Sequence, residues 1–174
     1  CPAGSYNEKT GSSSPDACQH CPPGTSSPIA GAVSSETCAR CRAGTFGGEP
    51  GLSECTDCPP GSYQNDTGAT SCRDCEQGSY CAKGASAPLP CDAGTYSDKT
   101  DLTAASQCVD ASPGHFATTG STEQTPCREG SFAAKARSEA CELCGQGYYQ
   151  SEPAAAACVR CAAGKFCPVG SSRE

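Results

Sequence analysis

The sequence lacks the side chains from which a globular core is usually built. It has no Met and no Trp. Large aliphatic residues are scarce: Ile29, Val33, Leu52, Leu89, Leu102, Val109, Leu143, Val159 and Val169. A chain of 174 residues with so little apolar material cannot bury one large core. The fold must depend on another source of stability.

Long apolar runs and basic clusters are also missing. The alanine run at residues 154–157 is far too short to span a bilayer, and no segment resembles a signal peptide. The net charge is −7, and the 12 Lys and Arg residues are scattered, which argues against a nucleic-acid partner. The chain begins at Cys1 without an initiator Met, as expected of an internal piece of a longer, processed protein.

Cysteine is what the chain has in excess, with 18 residues. Small secreted modules that cannot form an apolar core use disulfides in its place, whereas cytosolic chains rarely do. We therefore expect an extracellular, secreted or cell-surface location. The 20 Gly and 14 Pro residues interrupt the chain every few positions and exclude long helices or strands.

A short unit, which we call a module, recurs ten times. It reads Cys-x-x-Gly-x-aromatic and continues through a stretch rich in Ser, Thr, Gly and Pro. Most modules end in a Cys three residues before the next module. The modules begin at Cys1, Cys21, Cys41, Cys58, Cys75, Cys91, Ala111, Cys127, Cys144 and Cys161. Only the second module lacks the aromatic residue and has Ser26 there, and only Tyr148 is an aromatic outside this register.

Such modules are too short to fold alone. We predict a small disulfide-rich fold, a linear array of about ten modules with short β-hairpins and little other regular structure, forming an elongated rod. Each aromatic should pack on a neighbouring disulfide. Modules five and ten share an extra Cys after the aromatic, at Cys81 and Cys167. This longer period predicts two five-module halves, residues 1–90 and 91–174.

The seventh module indicates how the cysteines pair. Its first position is Ala111, and Gln124 occupies the position of its closing Cys, so both partners are lost together. Paired loss predicts bridges within modules. The bridges are Cys1–Cys18, Cys21–Cys38, Cys41–Cys55, Cys58–Cys72, Cys91–Cys108, Cys127–Cys141 and Cys144–Cys158. The four remaining cysteines close as Cys75–Cys81 and Cys161–Cys167, although Cys161 or Cys167 could instead pair beyond Glu174.

Metal binding and catalysis are the competing interpretations. Six Cys-x-x-Cys pairs have zinc-ribbon spacing, but zinc would leave six cysteines unpaired and would not explain the joint loss at 111 and 124. His20 could be a ligand, and an exposed linker residue is the simpler interpretation. His20 and His115 are the only candidate bases, each in a segment without an apolar environment. We predict no enzyme activity, no metal and no cofactor. Asn65-Asp66-Thr67 is an N-glycosylation acceptor.

Three segments carry a family resemblance: Cys-Pro-Ala-Gly-Ser-Tyr at 1–6, Cys-Pro-Pro-Gly-Ser-Tyr at 58–63 and Cys-Asp-Ala-Gly-Thr-Tyr at 91–96. They resemble ephrin-receptor-like cysteine-rich repeats, which are similar to the first submodule of tumour-necrosis-factor-receptor cysteine-rich domains. The resemblance implies extracellular modules with the bridge pattern given above. Such arrays occur in receptor ectodomains and in large protist or algal surface proteins, including mastigoneme (flagellar-hair) proteins.

The regularity of the array favours a structural role over a specific receptor. We expect a stiff extracellular segment of a filament, cell coat or surface appendage, whose partners are other copies of itself, other extracellular proteins or glycans. The alternative is a ligand-binding or adhesion ectodomain of a cell-surface receptor. Its contacts would come from irregular modules, around His115 and Phe116 or in the segment from Cys75 to Cys91 with Leu89.

Overall fold

The computed structural model describes all 174 residues and contains no α-helix. Its regular structure consists of two-residue strands and three single 3-10 turns. The strands are Ser5–Tyr6 (β1), Gln19–His20 (β2), Thr25–Ser26 (β3), Ala39–Arg40 (β4), Thr45–Phe46 (β5), Thr56–Asp57 (β6), Ser62–Tyr63 (β7), Arg73–Asp74 (β8), Ser79–Tyr80 (β9), Leu89–Pro90 (β10), Thr95–Tyr96 (β11), Val109–Asp110 (β12), His115–Phe116 (β13), Thr125–Pro126 (β14), Ser131–Phe132 (β15), Glu142–Leu143 (β16), Tyr148–Tyr149 (β17) and Val159–Arg160 (β18). The 3-10 turns are Pro15–Ala17, Ser35–Thr37 and Ala105–Gln107.

Each of the first nine modules forms one antiparallel hairpin from two consecutive strands. In module one, Ser5 pairs with His20 and Tyr6 pairs with Gln19. The first strand follows the Gly turn. The second strand lies between the position of the module's closing Cys and the first residue of the next module. The prediction of small disulfide-rich modules with short hairpins is confirmed.

The turn that opens each hairpin has a local cause in the sequence. The module glycine adopts a positive φ, as at Gly61 (φ 85°), where an L side chain would be strained. The residue after it is usually Ser or Thr, and its hydroxyl donates to the carbonyl three residues earlier. Ser62 Oγ lies 2.8 Å from the Pro59 oxygen in this way. The turn is therefore closed by a side chain before the strand begins.

One backbone hydrogen bond recurs between every pair of successive modules. The turn glycine donates its N–H to the carbonyl of the residue that follows the aromatic position of the next module. Gly4 donates to Ser27 at 2.7 Å, and Gly130 donates to Gln150 at 2.8 Å. A second recurring bond runs the other way, from the loop of a module to the first residue of the module before it. Gly31 donates to the Cys1 carbonyl at 2.7 Å in this second bond.

Modules also contact the second module along the chain. A Cβ atom built on Gly44, in module three, would overlap the carbonyl oxygen of Gly84, in module five. The same close approach joins Gly114 in module seven to Ala154 in module nine. Glycine at the turn is thus required both by its φ angle and by the backbone that packs against it.

The buried interior consists mainly of sulfur and small side chains. Cys21, Cys58, Cys91 and Cys127 are fully buried, whereas Tyr63 is the only aromatic residue that is buried. Several large aliphatic side chains are at least half exposed, such as Leu89, Leu143 and Val159. The disulfides occupy the space that an apolar core fills in larger domains.

The chain divides into two compact units. The first comprises residues 1–75 and 81–88, and the second comprises residues 76–80 and 89–174. Each unit contains hairpins of the kind described above and both recurring interactions between modules. The division lies within the fifth module, and the predicted organisation into halves 1–90 and 91–174 stays a prediction.

We predict that Gly114→Ala destabilises the chain more than Gly31→Ala does. Both glycines have positive φ, 85° and 74°, so each alanine costs about 1–2 kcal/mol of backbone strain. Only residue 114 faces a carbonyl oxygen, because nothing lies within 4 Å of a Cβ at Gly31. Overpacking should add roughly 2 kcal/mol at residue 114. Thermal unfolding with the disulfides intact measures the difference, and equal melting temperatures would contradict the packing between alternate modules.

Candidate functional site

The disulfide framework is the most ordered arrangement of chemically distinctive residues in the chain. All eighteen cysteines are in bridges and none is free. The structure brings together each predicted pair: Cys1–Cys18, Cys21–Cys38, Cys41–Cys55, Cys58–Cys72, Cys75–Cys81, Cys91–Cys108, Cys127–Cys141, Cys144–Cys158 and Cys161–Cys167. Because every sulfur is covalently engaged, no Cys-x-x-Cys pair presents thiolates to a metal ion in this state.

The seventh module keeps its hairpin without a disulfide. Ala111 is fully buried at the position of the first cysteine. The side chain of Gln124 reaches back across the module, where its Oε1 accepts a hydrogen bond from the Ser112 N–H at 2.7 Å. This hydrogen bond therefore joins the two parts of the module that a disulfide joins in other modules. Strands β13 and β14 remain paired through His115 with Pro126 and Phe116 with Thr125.

The aromatic side chain of module four packs against the disulfide of the next module. Tyr63 of module four packs in one cluster with Cys75 and Cys81 of module five, together with Ala85. Phe116 of module seven lines a groove that also contains Cys141 of module eight. This is the packing that the aromatic register predicts. The Tyr63 ring covers sulfur with apolar surface, a favourable arrangement for a polarizable atom.

Module two departs from this arrangement because it has Ser26 at the aromatic position. The Ser26 hydroxyl oxygen lies 3.2 Å from Cys55 Sγ, in the bridge of module three. An open groove of about 540 Å³ lies beside it and is lined by Ser26, Arg40, Arg42, Thr45, Glu54 and Cys55, among others. We call this groove the Ser26 groove. The corresponding groove that contains Phe116 has a volume of about 420 Å³.

The two histidines do not form a catalytic arrangement with other side chains. His20 is exposed at the end of β2, with its ring against the module-three loop at Gly51. His115 is half-buried in β13, and its Nδ1 lies 3.5 Å from the Pro113 carbonyl oxygen. The chain contains no group of three or more His, Cys, Asp or Glu side chains arranged to hold a metal ion.

Most ion pairs join alternate modules at the surface. Lys83 lies 3.5 Å from Asp57, and Arg137 lies 3.7 Å from both Asp92 and Asp110. All of these side chains are well exposed, so each pair contributes little to stability on its own. Their placement follows the backbone contacts between alternate modules described above.

Sequence reasoning did not identify a second periodic position in the module loop. It lies nine or ten residues after the module start and has positive φ, as at Gly31, Gly51 and Gly84. Except at Asp101, its N–H supplies the second recurring bond to the preceding module. Three modules have a non-glycine residue there with φ between 57° and 63°: Asp101, Arg137 and Ala154. The available signal was a glycine four or five residues after the aromatic position in most modules, and the variable spacing concealed it.

Comparison with known families agrees with the module pattern. The family model described as tyrosine-protein kinase ephrin type A/B receptor-like matches residues 33–75 and, in an overlapping second match, 44–88. Residues 33–88 are thus similar to ephrin-receptor-like cysteine-rich repeats. The matched part runs from the second half of module two into module five. Modules six, eight and nine repeat the same turn, strand and bridge positions. No curated protein matches the chain.

The similarity to ephrin-receptor-like repeats and the nine disulfides together indicate an extracellular or cell-surface domain. None of the helical segments has the length or hydropathy needed to cross a bilayer.

We predict that the double variant Ala111→Cys and Gln124→Cys forms a tenth disulfide. The two positions correspond to pairs whose Cα atoms lie 5.4 to 6.0 Å apart in the other full-length modules. A loop of about 14 residues gains roughly 3 kcal/mol from closure. Alkylation without reductant followed by mass spectrometry should find no free thiol in the double variant, whereas Ala111→Cys alone should retain one. A double variant that keeps both thiols would contradict the equivalence of module seven with its neighbours.

Proposed function

We propose that the chain is a structural segment of an extracellular filament, cell coat or surface appendage, in which successive modules form a stiff rod. The observation that carries the proposal is the backbone hydrogen bond from each turn glycine to the next module, which recurs at every junction from Gly4 to Gly147. An array in which each junction is alike transmits load evenly and has no preferred site for one ligand. A flagellar hair of the mastigoneme type is one appendage that needs such a segment.

The proposed partners are other copies of this chain, other extracellular proteins and glycans. Asn65 supports a contribution from glycans, because Asn65, Asp66 and Thr67 are all exposed in a turn of module four. Gln64 holds this turn by accepting a hydrogen bond from the Asp66 N–H at 2.9 Å. We propose that Asn65 carries an N-linked glycan. Treatment with an N-glycosidase should then lower the mass of the natural protein, and an unchanged mass would reject the assignment.

We expect small-angle X-ray scattering of the monomer to give a radius of gyration of about 30 Å. This value follows from ten modules stacked at about 10 Å into a rod of roughly 100 Å. A compact protein of the same length would have a radius of gyration of about 16 Å, and the unfolded chain about 44 Å. Measurements before and after reduction test the proposal, because loss of the bridges should shift the value toward the unfolded one. A value near 16 Å in the oxidised protein would contradict the rod.

The alternative function is a ligand-binding or adhesion ectodomain, which the receptor-like family match favours. Its candidate contacts are Leu89, which is half exposed in β10, and Phe116, which lies in the groove shared by modules seven and eight. Immunogold labelling with an antibody against this chain distinguishes the two functions. Continuous label along filaments, coats or appendages supports the structural role. Label confined to the plasma membrane supports the receptor and contradicts the structural role.

A further inference from the structure

The bridge pattern decides how the chain transmits tension. In a module with a bridge, force that enters at the first cysteine leaves through the second, and the loop between them carries no load. Cys91 and Cys108 are 17 residues apart in sequence, yet their Cα atoms are held 6.0 Å apart. Such a module cannot lengthen by unfolding unless its disulfide breaks.

Module seven is the longest part of the chain that no bridge spans. Most successive bridges are separated only by a Cys-x-x-Cys linker, whereas the unbridged stretch from Cys108 to Cys127 includes the whole loop between Ala111 and Gln124. Bridged pairs that close loops of similar size have Cα atoms 5.6 to 5.8 Å apart. The chain from residue 111 to residue 124 spans about 45 Å when fully extended. The folded module therefore stores roughly 40 Å of chain.

Only hydrogen bonds and a few small buried groups hold this stored length. The buried side chains of the module are Ala111 and Ala117, and Phe116 is half-buried. Strands β13 and β14 pair over two residues each, and the hydrogen bond from the Ser112 N–H to Gln124 is exposed. A region with so few buried apolar contacts opens at low cost in free energy.

The neighbours of module seven keep their covalent structure when it opens. Gly114 and Ala117 donate their N–H groups to carbonyls of module eight at 2.8 and 3.1 Å. Breaking these hydrogen bonds leaves the bridges Cys91–Cys108 and Cys127–Cys141 intact in modules six and eight. The two modules between which module seven folds therefore stay closed while it is extended.

We propose that module seven is an extensible element. Under tension it opens before its neighbours and lengthens the chain by about 40 Å, and it refolds between them when the tension is removed. Extensibility follows from the bridge pattern and holds equally for a receptor ectodomain, so its failure would leave the tests of the structural role unaffected. The use of this element to bear load rests on the structural role proposed above.

Single-molecule force spectroscopy in non-reducing buffer tests the proposal. The 174-residue chain is pulled between two reference domains of known unfolding length. Its traces should contain a contour-length increment of about 40 Å that recurs after relaxation. Ala111→Cys with Gln124→Cys, which closes the loop with a tenth bridge, should remove the increment. Ala111→Ser with Gln124→Ser is the matched control, because serine is close to cysteine in size and forms no bridge, and it should keep the increment.

Hydrogen exchange is a second measurement, and it does not require the tenth bridge. Gly130 and Ala133 of module eight are the equivalents of Gly114 and Ala117, and they donate to module nine in the same way. After correction for intrinsic rates, the amides of Gly114 and Ala117 should exchange at least about tenfold faster than those of Gly130 and Ala133. The faster exchange is expected because module seven opens locally without a bridge to limit it.

The other unbridged stretch is a constant in the pulling experiment. It runs from Cys81 to Cys91, extends to at most about 34 Å, and is the same in the unsubstituted chain and in both variants. An increment of about 40 Å that persists after the tenth bridge has formed would overturn the proposal. Traces of the unsubstituted chain without that increment, or equal exchange rates in modules seven and eight, would overturn it as well.

Discussion

Covalent closure of short loops is the constraint on which the rest of this structure depends. A hairpin with two residues in each strand has too few hydrogen bonds and too little buried surface to persist alone in water. The bridge of a typical module joins positions 14 or 17 residues apart, as in Cys41–Cys55 and Cys1–Cys18. Closing a loop of this size removes about 3 kcal/mol of conformational freedom from the unfolded chain. The turn glycine and the paired strands then need to offset only the remaining conformational entropy lost on folding.

The hydrogen bonds between modules convert separate loops into a continuous array. Each turn glycine donates to the next module, and most loops donate to the module before, so that successive modules are joined in both directions. Because the donors and acceptors are backbone groups, the junctions tolerate wide variation in side chains. This tolerance explains why loops of Ser, Thr, Ala and Pro with little else in common can occupy equivalent positions. Distinctive side-chain contacts occur in the few modules that depart from the pattern.

Much of the fold follows from the sequence, and the limits have identifiable physical causes. Paired loss of cysteine at Ala111 and Gln124 predicts bridges within modules because an unpaired thiol would be exposed to exchange. The aromatic register likewise predicts contact with the neighbouring disulfide, as Tyr63 shows. Contacts between alternate modules were not predictable, because they depend on how far each module is rotated from the last. The Gln124 to Ser112 hydrogen bond was also hidden, since it depends on a side-chain conformation rather than on spacing.

The absence of a bridge in module seven changes how the molecule responds to a single broken peptide bond. Within any of the seven larger rings, such as that closed by Cys21 and Cys38, a nick leaves the two new ends tied together through sulfur. The stretch from Cys108 to Cys127 lies outside every ring, and so does the shorter one from Cys81 to Cys91. A cut in either stretch leaves no covalent connection between its N-terminal and C-terminal sides. Proteolysis of one peptide bond in either segment therefore divides the polypeptide into two fragments. Each fragment keeps its own disulfides.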